Sequence, residues 1–228
     1  MPKNGSISTD KSITAAGNGS VHLETLGTDQ DISFGSDIAM VGGSLSLTTA
    51  DGDVSQTSGA ITTAGITVDA GGDVSLAQAN NDFTDDVDVK ATGNVSLTDV
   101  NGIDLGRIDL TTGSLTVNAV GINQSDEITQ AASAGDVRFN TGASAITLNN
   151  VNNEFTGAVS LNNSGANAVS IRDKNAIDLG SSSLGSGSLT IYADGITQSG
   201  EIVQSAGSTA IFNGGTAGIE LTNVDNEF

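Results

Sequence analysis

The chain has 228 residues, with 27 acidic and 7 basic side chains and a formal net charge of −20 at pH 7. Because such a charge repels phosphate backbones, we expect no nucleic-acid partner. The sequence has no cysteine, which excludes disulfides, thiolate metal sites and cysteine nucleophiles. No apolar run approaches the roughly 18 residues needed to span a bilayer, so we do not expect the chain to cross a membrane.

Short alternating segments follow one another along the whole chain, bounded by Gly, Asn or Asp. Most read apolar, polar, apolar, with Ser or Thr in the middle, and this period of two predicts strands with one buried face. The helical spacing of apolar residues is absent, so we predict an all-β fold. In chain order the segments include Ser6–Ser8, Ser12–Thr14, Val21–Glu24, Ile32–Phe34, Leu45–Leu47, Val54–Gln56, Ile66–Val68, Val74–Leu76, Val87–Val89, Val95–Leu97, Leu115–Val117, Val137–Phe139, Ile146–Leu148, Val159–Leu161, Val169–Ile171, Leu189–Ile191 and Ile219–Leu221.

The sequence also repeats over a longer period that spans several of these segments. The sequence NVNNEF at Asn150–Phe155 returns as NVDNEF at Asn223–Phe228 and, in looser form, as ANNDF at Ala79–Phe83. Likewise, IDLG at Ile103–Gly106 returns at Ile177–Gly180. We therefore predict one unit over residues 1–228, with long repeats at about 1–83, 84–155 and 156–228. Since the last repeat stops on a landmark phenylalanine, we expect a fragment of a longer protein, with Met1 supplied for expression.

Such short, closely spaced strands fit either an antiparallel sandwich or a parallel β-solenoid. Connections such as Asn140–Ala143 are longer than the two-residue turns of hairpins. A solenoid also explains the long period, if equivalent positions stack on one another. With coils of about 20 to 25 residues, the chain would form roughly ten coils and a rod about 50 Å long. At the corners we expect Asn and Ser side chains to stack into hydrogen-bonded ladders.

Two long runs, Asn153–Gly180 and Gly187–Phe228, resemble the repeats of giant bacterial surface proteins related to filamentous haemagglutinin. This resemblance implies a right-handed parallel β-helix and export across the outer membrane, commonly by two-partner secretion. It also implies an extracellular or outer-membrane-surface location. The expected function is that of a structural and adhesive rod segment, acting as a spacer with a weak binding surface. Its expected partners are a glycan or protein on a host or neighbouring cell, or its own copies end to end.

Some β-helices are polysaccharide lyases or hydrolases, so a carbohydrate-active enzyme is the alternative function, and a self-assembling filament is another. Catalysis would need carboxylates, alone or with a basic residue, converging on one face. One candidate group is Asp82, Asp85, Asp86, Asp88 and Lys90, and a second is Arg172, Asp173 and Lys174. The single histidine, His22, has no partner motif and is expected to be an exposed strand residue. We therefore expect no enzymatic activity and no catalytic residues.

Calcium is the one ion that the sequence suggests. Asp82, Glu154 and Asp225 lie in the acidic clusters that precede the repeated phenylalanines, and their oxygens suit a hard cation. The competing interpretation is that these clusters cap a turn, because Asn and Asp side chains bond to nearby backbone. We favour the turn, with no metal or cofactor, and keep calcium as the alternative.

Overall fold

The computed structural model describes residues 5–228, so the expectation about Met1 falls outside the described residues. Residues 5–228 contain strands, turns and bends but no helix, and so none that could cross a membrane. The strands are β1 (Ile7–Thr9), β2 (Ile13–Thr14), β3 (Ser20–Thr25), β4 (Ile32–Phe34), β5 (Ile38–Thr49), β6 (Val54–Gln56), β7 (Ile61–Ala70), β8 (Val74–Leu76), β9 (Asp82–Phe83), β10 (Asp86–Ala91), β11 (Val95–Thr98), β12 (Gly102–Leu110), β13 (Leu115–Asn118), β14 (Gly121–Gln124), β15 (Ile128–Gln130), β16 (Val137–Asn140), β17 (Ile146–Leu148), β18 (Val159–Asn162), β19 (Val169–Arg172), β20 (Ile177–Leu179), β21 (Ser182–Leu184), β22 (Leu189–Tyr192), β23 (Ile196–Gln198), β24 (Ile202–Gln204) and β25 (Ala210–Asn213).

These strands stack in parallel into two sheets, one of 12 and one of 13 strands. The main path through each sheet holds ten strands. Partners on adjacent strands are about one coil apart in sequence, as Ile7 with Ile32 and Val54 with Val74. The fold is therefore a β-solenoid of about ten coils. The predictions of an all-β chain and of a stacked parallel solenoid are confirmed.

The core is a set of narrow apolar columns that run along the solenoid. Val95, Leu115 and Val137 pair in register on successive coils, and each is at most 1% exposed. Along each strand, the residues that alternate with these buried ones, such as Thr116 after Leu115, point outward, as the period of two requires. Because each coil is thin, its apolar side chains are covered mainly by the coils above and below, so one coil alone could not bury them.

Each coil has three straight segments. In the coil that begins at Val54, β6 is the first segment and β7 supplies the other two. The alternation of buried residues in β7 breaks at Ala64–Gly65, where the chain turns from one face to the next. In this coil the first segment belongs to the 12-stranded sheet and the other two belong to the 13-stranded sheet.

Hydrogen-bonded ladders occupy the corners, as predicted. The amide of Asn140 donates to Asn118 at 2.8 Å, and that of Asn162 donates to Asn140 at 2.9 Å. At another corner the backbone N–H of Asp73 donates to the Asp53 carboxylate at 2.7 Å, and the same pattern links several coils. These bonds satisfy polar groups at the turns, where the sheet ladder is interrupted.

Equivalent residues of successive long repeats do not stack on one another, so that part of the prediction is wrong. Val87 pairs with Leu105 in the 13-stranded sheet, whereas their counterparts Val159 and Leu179 pair in the 12-stranded sheet. The cause is the length of a coil. A long repeat of about 74 residues holds about three and a third coils of about 22 residues, so each repeat begins one face further round the rod.

Candidate functional site

The repeated motif, NxxNEF in its two closest copies and ANNDF in the first, forms an internal cap that we call the amide clasp. It is defined by the pairs Gln56–Asn81, Gln124–Asn153 and Gln198–Asn226. In each pair the two side-chain amides bond to each other. The asparagine oxygen also accepts a backbone N–H from the strand that follows the glutamine in the sequence, for example from Ile128 to Asn153 at 2.9 Å. Asn153 also makes a local bond of the kind that turn capping uses, since its amide donates to the carbonyl of Leu148 at 3.3 Å.

A buried aspartate supports the phenylalanine of each of the first two motifs. Asp99 accepts the N–H of Phe83 at 2.8 Å, and Asp173 accepts the N–H of Phe155 at 2.7 Å. Each carboxylate also accepts the N–H two residues further on, at 2.6 Å. Both aspartates are 3% exposed. Asp99 and Asp173 lie on different faces of the rod and make the same bonds. The local structure of the repeat is therefore the same on both faces.

Burial is the largest influence on the pKa values of these two carboxyl groups. It raises the pKa of Asp99 and the pKa of Asp173 above the ordinary value, although the backbone N–H donors act in the opposite direction. The folded protein therefore holds these protons more tightly than the unfolded chain does. Their contribution to stability is fully present below the unfolded pKa and is lost as the pH rises through the raised pKa.

The three calcium candidates lie in separate coils and are not brought together. Asp82 accepts a bond from the amide of Asn101 at 3.3 Å, and Glu154 is paired with Lys174 at 2.6 Å. Asp225 is exposed. Within residues 5–228, no group of three or more His, Cys, Asp or Glu side chains is arranged to hold a metal ion.

The first candidate catalytic group divides between two places. Asp88 and Lys90 project from β10 into a shallow groove of about 410 Å³ on the outer face of the solenoid. Lys90 lies in register between Asp69 and Asp109 on the neighbouring coils and bonds to Asp69 at 3.1 Å. The groove is also lined by Arg107 and Asp126, so four carboxylates face two cations. The residues from other coils could be found only by knowing the strand register.

Asp86, from the same group, lies elsewhere and next to a carboxyl group that the sequence interpretation missed. It pairs in register with Asp104, and the hydroxyl of Ser125 donates to it at 3.1 Å. Burial raises the pKa of Asp104, although the nearby hydroxyl and backbone N–H of Ser125 act in the opposite direction. Asp85 is close enough to Asp104 for its charge to act in the same direction as burial.

The second candidate group borders a groove of about 320 Å³ that also contains the single tyrosine of the chain, Tyr192. Of this group, Asp173 is the buried capping residue described above. Arg172 and Lys174 lie on its two sides, and Arg172 is exposed. The prediction that His22 is an exposed strand residue is confirmed, since its side chain is 53% exposed and contacts Ser46 and Glu24 on the outer surface.

Comparison with known protein families gives matches at residues 18–90, 92–162 and 166–228. All three are to the family described as repeats of unknown function (DUF5649). The chain belongs to this family. The three DUF5649 units have about the length of the predicted long repeats and begin some residues later. No curated protein and no solved structure matches the chain.

Proposed function

We propose that this DUF5649 chain is a rod segment of a large bacterial cell-surface or secreted filamentous protein. It acts as a spacer and offers weak binding surfaces along its length. The observation that supports this most is the continuous parallel stack, in which each coil is covered by its neighbours, so further repeats can be added along the same axis. About ten coils at a strand spacing of about 4.8 Å give a rod roughly 50 Å long.

The rotation of the repeats also favours an adhesive surface over a single deep site. Equivalent outward residues appear on different sides of the rod, so a partner could be contacted from several directions. Weak contacts repeated along one rod raise the overall avidity without a strong individual site. The proposed partner is a glycan or protein on a host or neighbouring cell, and the proposed location is extracellular.

Small-angle X-ray scattering on the purified chain tests the rod. We expect an elongated particle roughly 50 Å long with a uniform cross-section, unchanged when calcium is replaced by a chelator. A compact sphere would overturn the spacer proposal. A shape that collapses on chelation would instead support the calcium alternative at Asp82, Glu154 or Asp225.

A carbohydrate-active enzyme is the second candidate, and the adjacency of Asp86 and Asp104 favours it. Two neighbouring carboxyls, one with a raised pKa, are the kind of pair that glycoside hydrolysis uses. In the following repeat the counterpart of Asp86 is Ala158, so the pair occurs in one repeat. Cleavage of a polysaccharide panel by the native chain, lost in Asp86→Asn, would establish this function, and absence of cleavage would remove it.

A self-assembling filament is the third candidate. Ile219 and Phe228, in the last coil described, are 49% and 51% exposed, and the edge of a parallel sheet can pair with another copy. Light scattering over a range of protein concentrations would test this. Growth of particle mass with concentration would favour a filament, whereas a constant monomer mass would leave the spacer proposal.

A further inference from the structure

The groove beside Tyr192, which we call the Arg–Tyr groove, is formed by Arg172, Tyr192 and Asn213 together with Lys174, Asp194 and Val151. The first three residues end strands β19, β22 and β25 and pair in register. They form a row along the rod with a spacing of about 4.8 Å per coil. A row of this length matches roughly two linked sugar rings.

Within the groove, Arg172 is the cation that remains available. Lys174 is held by Glu154 at 2.6 Å, whereas Arg172 forms no ion pair with any carboxylate among residues 5–228. Asp194 accepts the N–H and the hydroxyl of Thr216 at 2.8 and 2.9 Å, which lowers the pKa of its carboxyl group. The guanidinium of Arg172 is therefore free to bind an anionic group from outside.

Tyr192 offers a surface next to that charge. Its side chain is partly exposed, at 40% for the residue as a whole, so a flat ligand could reach one side of the ring. The side chain of Asn213, on the next coil, is also exposed and has an amide group for hydroxyls. The groove thus combines a planar cation, an aromatic ring and a polar amide in one row.

Comparison of equivalent positions in two long repeats distinguishes the residues that the fold needs from those that are particular to this groove. The capping residue is the same in both repeats, since Asp173 corresponds to Asp99 and makes the same two backbone bonds. The outward neighbours differ. Arg172, Lys174 and Tyr192 occupy positions that hold uncharged residues in the preceding repeat, namely Thr98, Val100 and Asn118.

The preceding repeat also shows what the fold itself requires at these positions. Asn118 belongs to a corner ladder, because it accepts a bond from the amide of Asn140. Tyr192 has no side-chain amide and cannot form this ladder bond, so the fold does not require its ring at this position. Two of the 7 basic residues and the single tyrosine of an acidic chain are gathered in this one groove. Such a local change of chemistry on an unchanged backbone indicates a binding function.

We propose that the Arg–Tyr groove binds a saccharide that carries a carboxylate, such as a uronic or sialic acid unit within a glycan. Arg172 receives the carboxylate through its fork of N–H donors, which matches carboxylate geometry. The ring of Tyr192 packs against the apolar face of a sugar, and Asn213 bonds to hydroxyls. This inference rests on the proposed function, because it assigns a ligand class to the binding surface of the rod.

The test is an NMR titration of the full chain with oligogalacturonate, with its neutral methyl ester, and with sialyllactose. We expect binding of at least one of the two acids and much weaker binding of the ester. The best-fitting acid identifies the source of the carboxylate. Arg172→Thr, which installs the residue of the preceding repeat, should weaken acid binding by roughly tenfold to a hundredfold. Tyr192→Asn should weaken binding of acid and ester alike.

Arg138→Thr is the matched control, because it removes the same charge from an exposed position outside this groove and should leave acid binding unchanged. No binding of either acid, equal binding of acid and ester, or full binding by Arg172→Thr would overturn the proposal. Scattering on the same samples keeps the two proposals distinguishable. A rod that fails to bind removes the groove proposal alone, whereas loss of rod shape in the unmodified chain removes the spacer function.

Discussion

The amide clasp of Asn153 gives a direct test of what holds successive coils together. Asn153 is fully buried, and its side-chain oxygen accepts the N–H of Ile128 while its amide donates to the carbonyl of Leu148. Asn153→Leu keeps a similar volume but removes both of these bonds from buried backbone groups. Since each such buried group costs about 1–3 kcal/mol, the free energy of unfolding should fall by about 2–6 kcal/mol.

Urea unfolding followed by far-ultraviolet circular dichroism measures this loss. The neighbouring Asn152→Leu is the control, because Asn152 is exposed and its replacement should change the free energy by less than about 0.5 kcal/mol. Asn81→Leu should cost about as much as Asn153→Leu, since the same clasp recurs on another face. A loss below about 1 kcal/mol for Asn153→Leu, or equal losses for Asn152 and Asn153, would refute the reasoning.

Two further predictions concern the buried carboxyls and a tight corner. Because the pKa of Asp173 is raised in the folded state, Asp173→Asn should reduce the fall in stability between about pH 4 and about pH 7, and an unchanged slope in denaturant melts at the two values would contradict this. At one corner, a Cβ on Gly113 would lie 2.0 Å from the carbonyl oxygen of Gly93. Gly113→Ala should therefore cost about 1–3 kcal/mol in the same unfolding assay. In the control Gly102→Ala, the nearest atom is 3.7 Å away, so stability should change by less than about 1 kcal/mol, and equal costs for the two variants would disprove the packing argument.

Much of the fold could be predicted because its signals are local. The triplets at Val95–Leu97 and Leu115–Val117 are strands, as their alternation indicated. The side chains of Asn150 and Asn153 bond to nearby backbone, as expected of asparagines at a turn. A recurrent glycine is a further local signal of the coils. A glycine recurs about once per coil in front of many first strands, for example at Gly72 and Gly93, because coils approach closely there.

The candidate groups were less predictable, because their members come from different coils. Lys90 was recognised, but Asp69 and Asp109, which flank it, lie about one coil away in the sequence. In the other group, Asp173 proved to be a buried cap whose charge is not presented to solvent. Neither result follows from spacing alone, since a one-residue change of register would turn each of these side chains to the opposite face.

The sequence by itself determined that the chain is all-β, built of short strands with one buried face, and repetitive at two lengths. These properties follow from alternation and recurrence, which each segment carries within itself. The tertiary structure alone decided which residues share a face, because the coil length does not divide the long repeat evenly. The resulting offset moves each repeat one face round the rod. The register of adjacent coils, in turn, places Arg172, Tyr192 and Asn213 in one row.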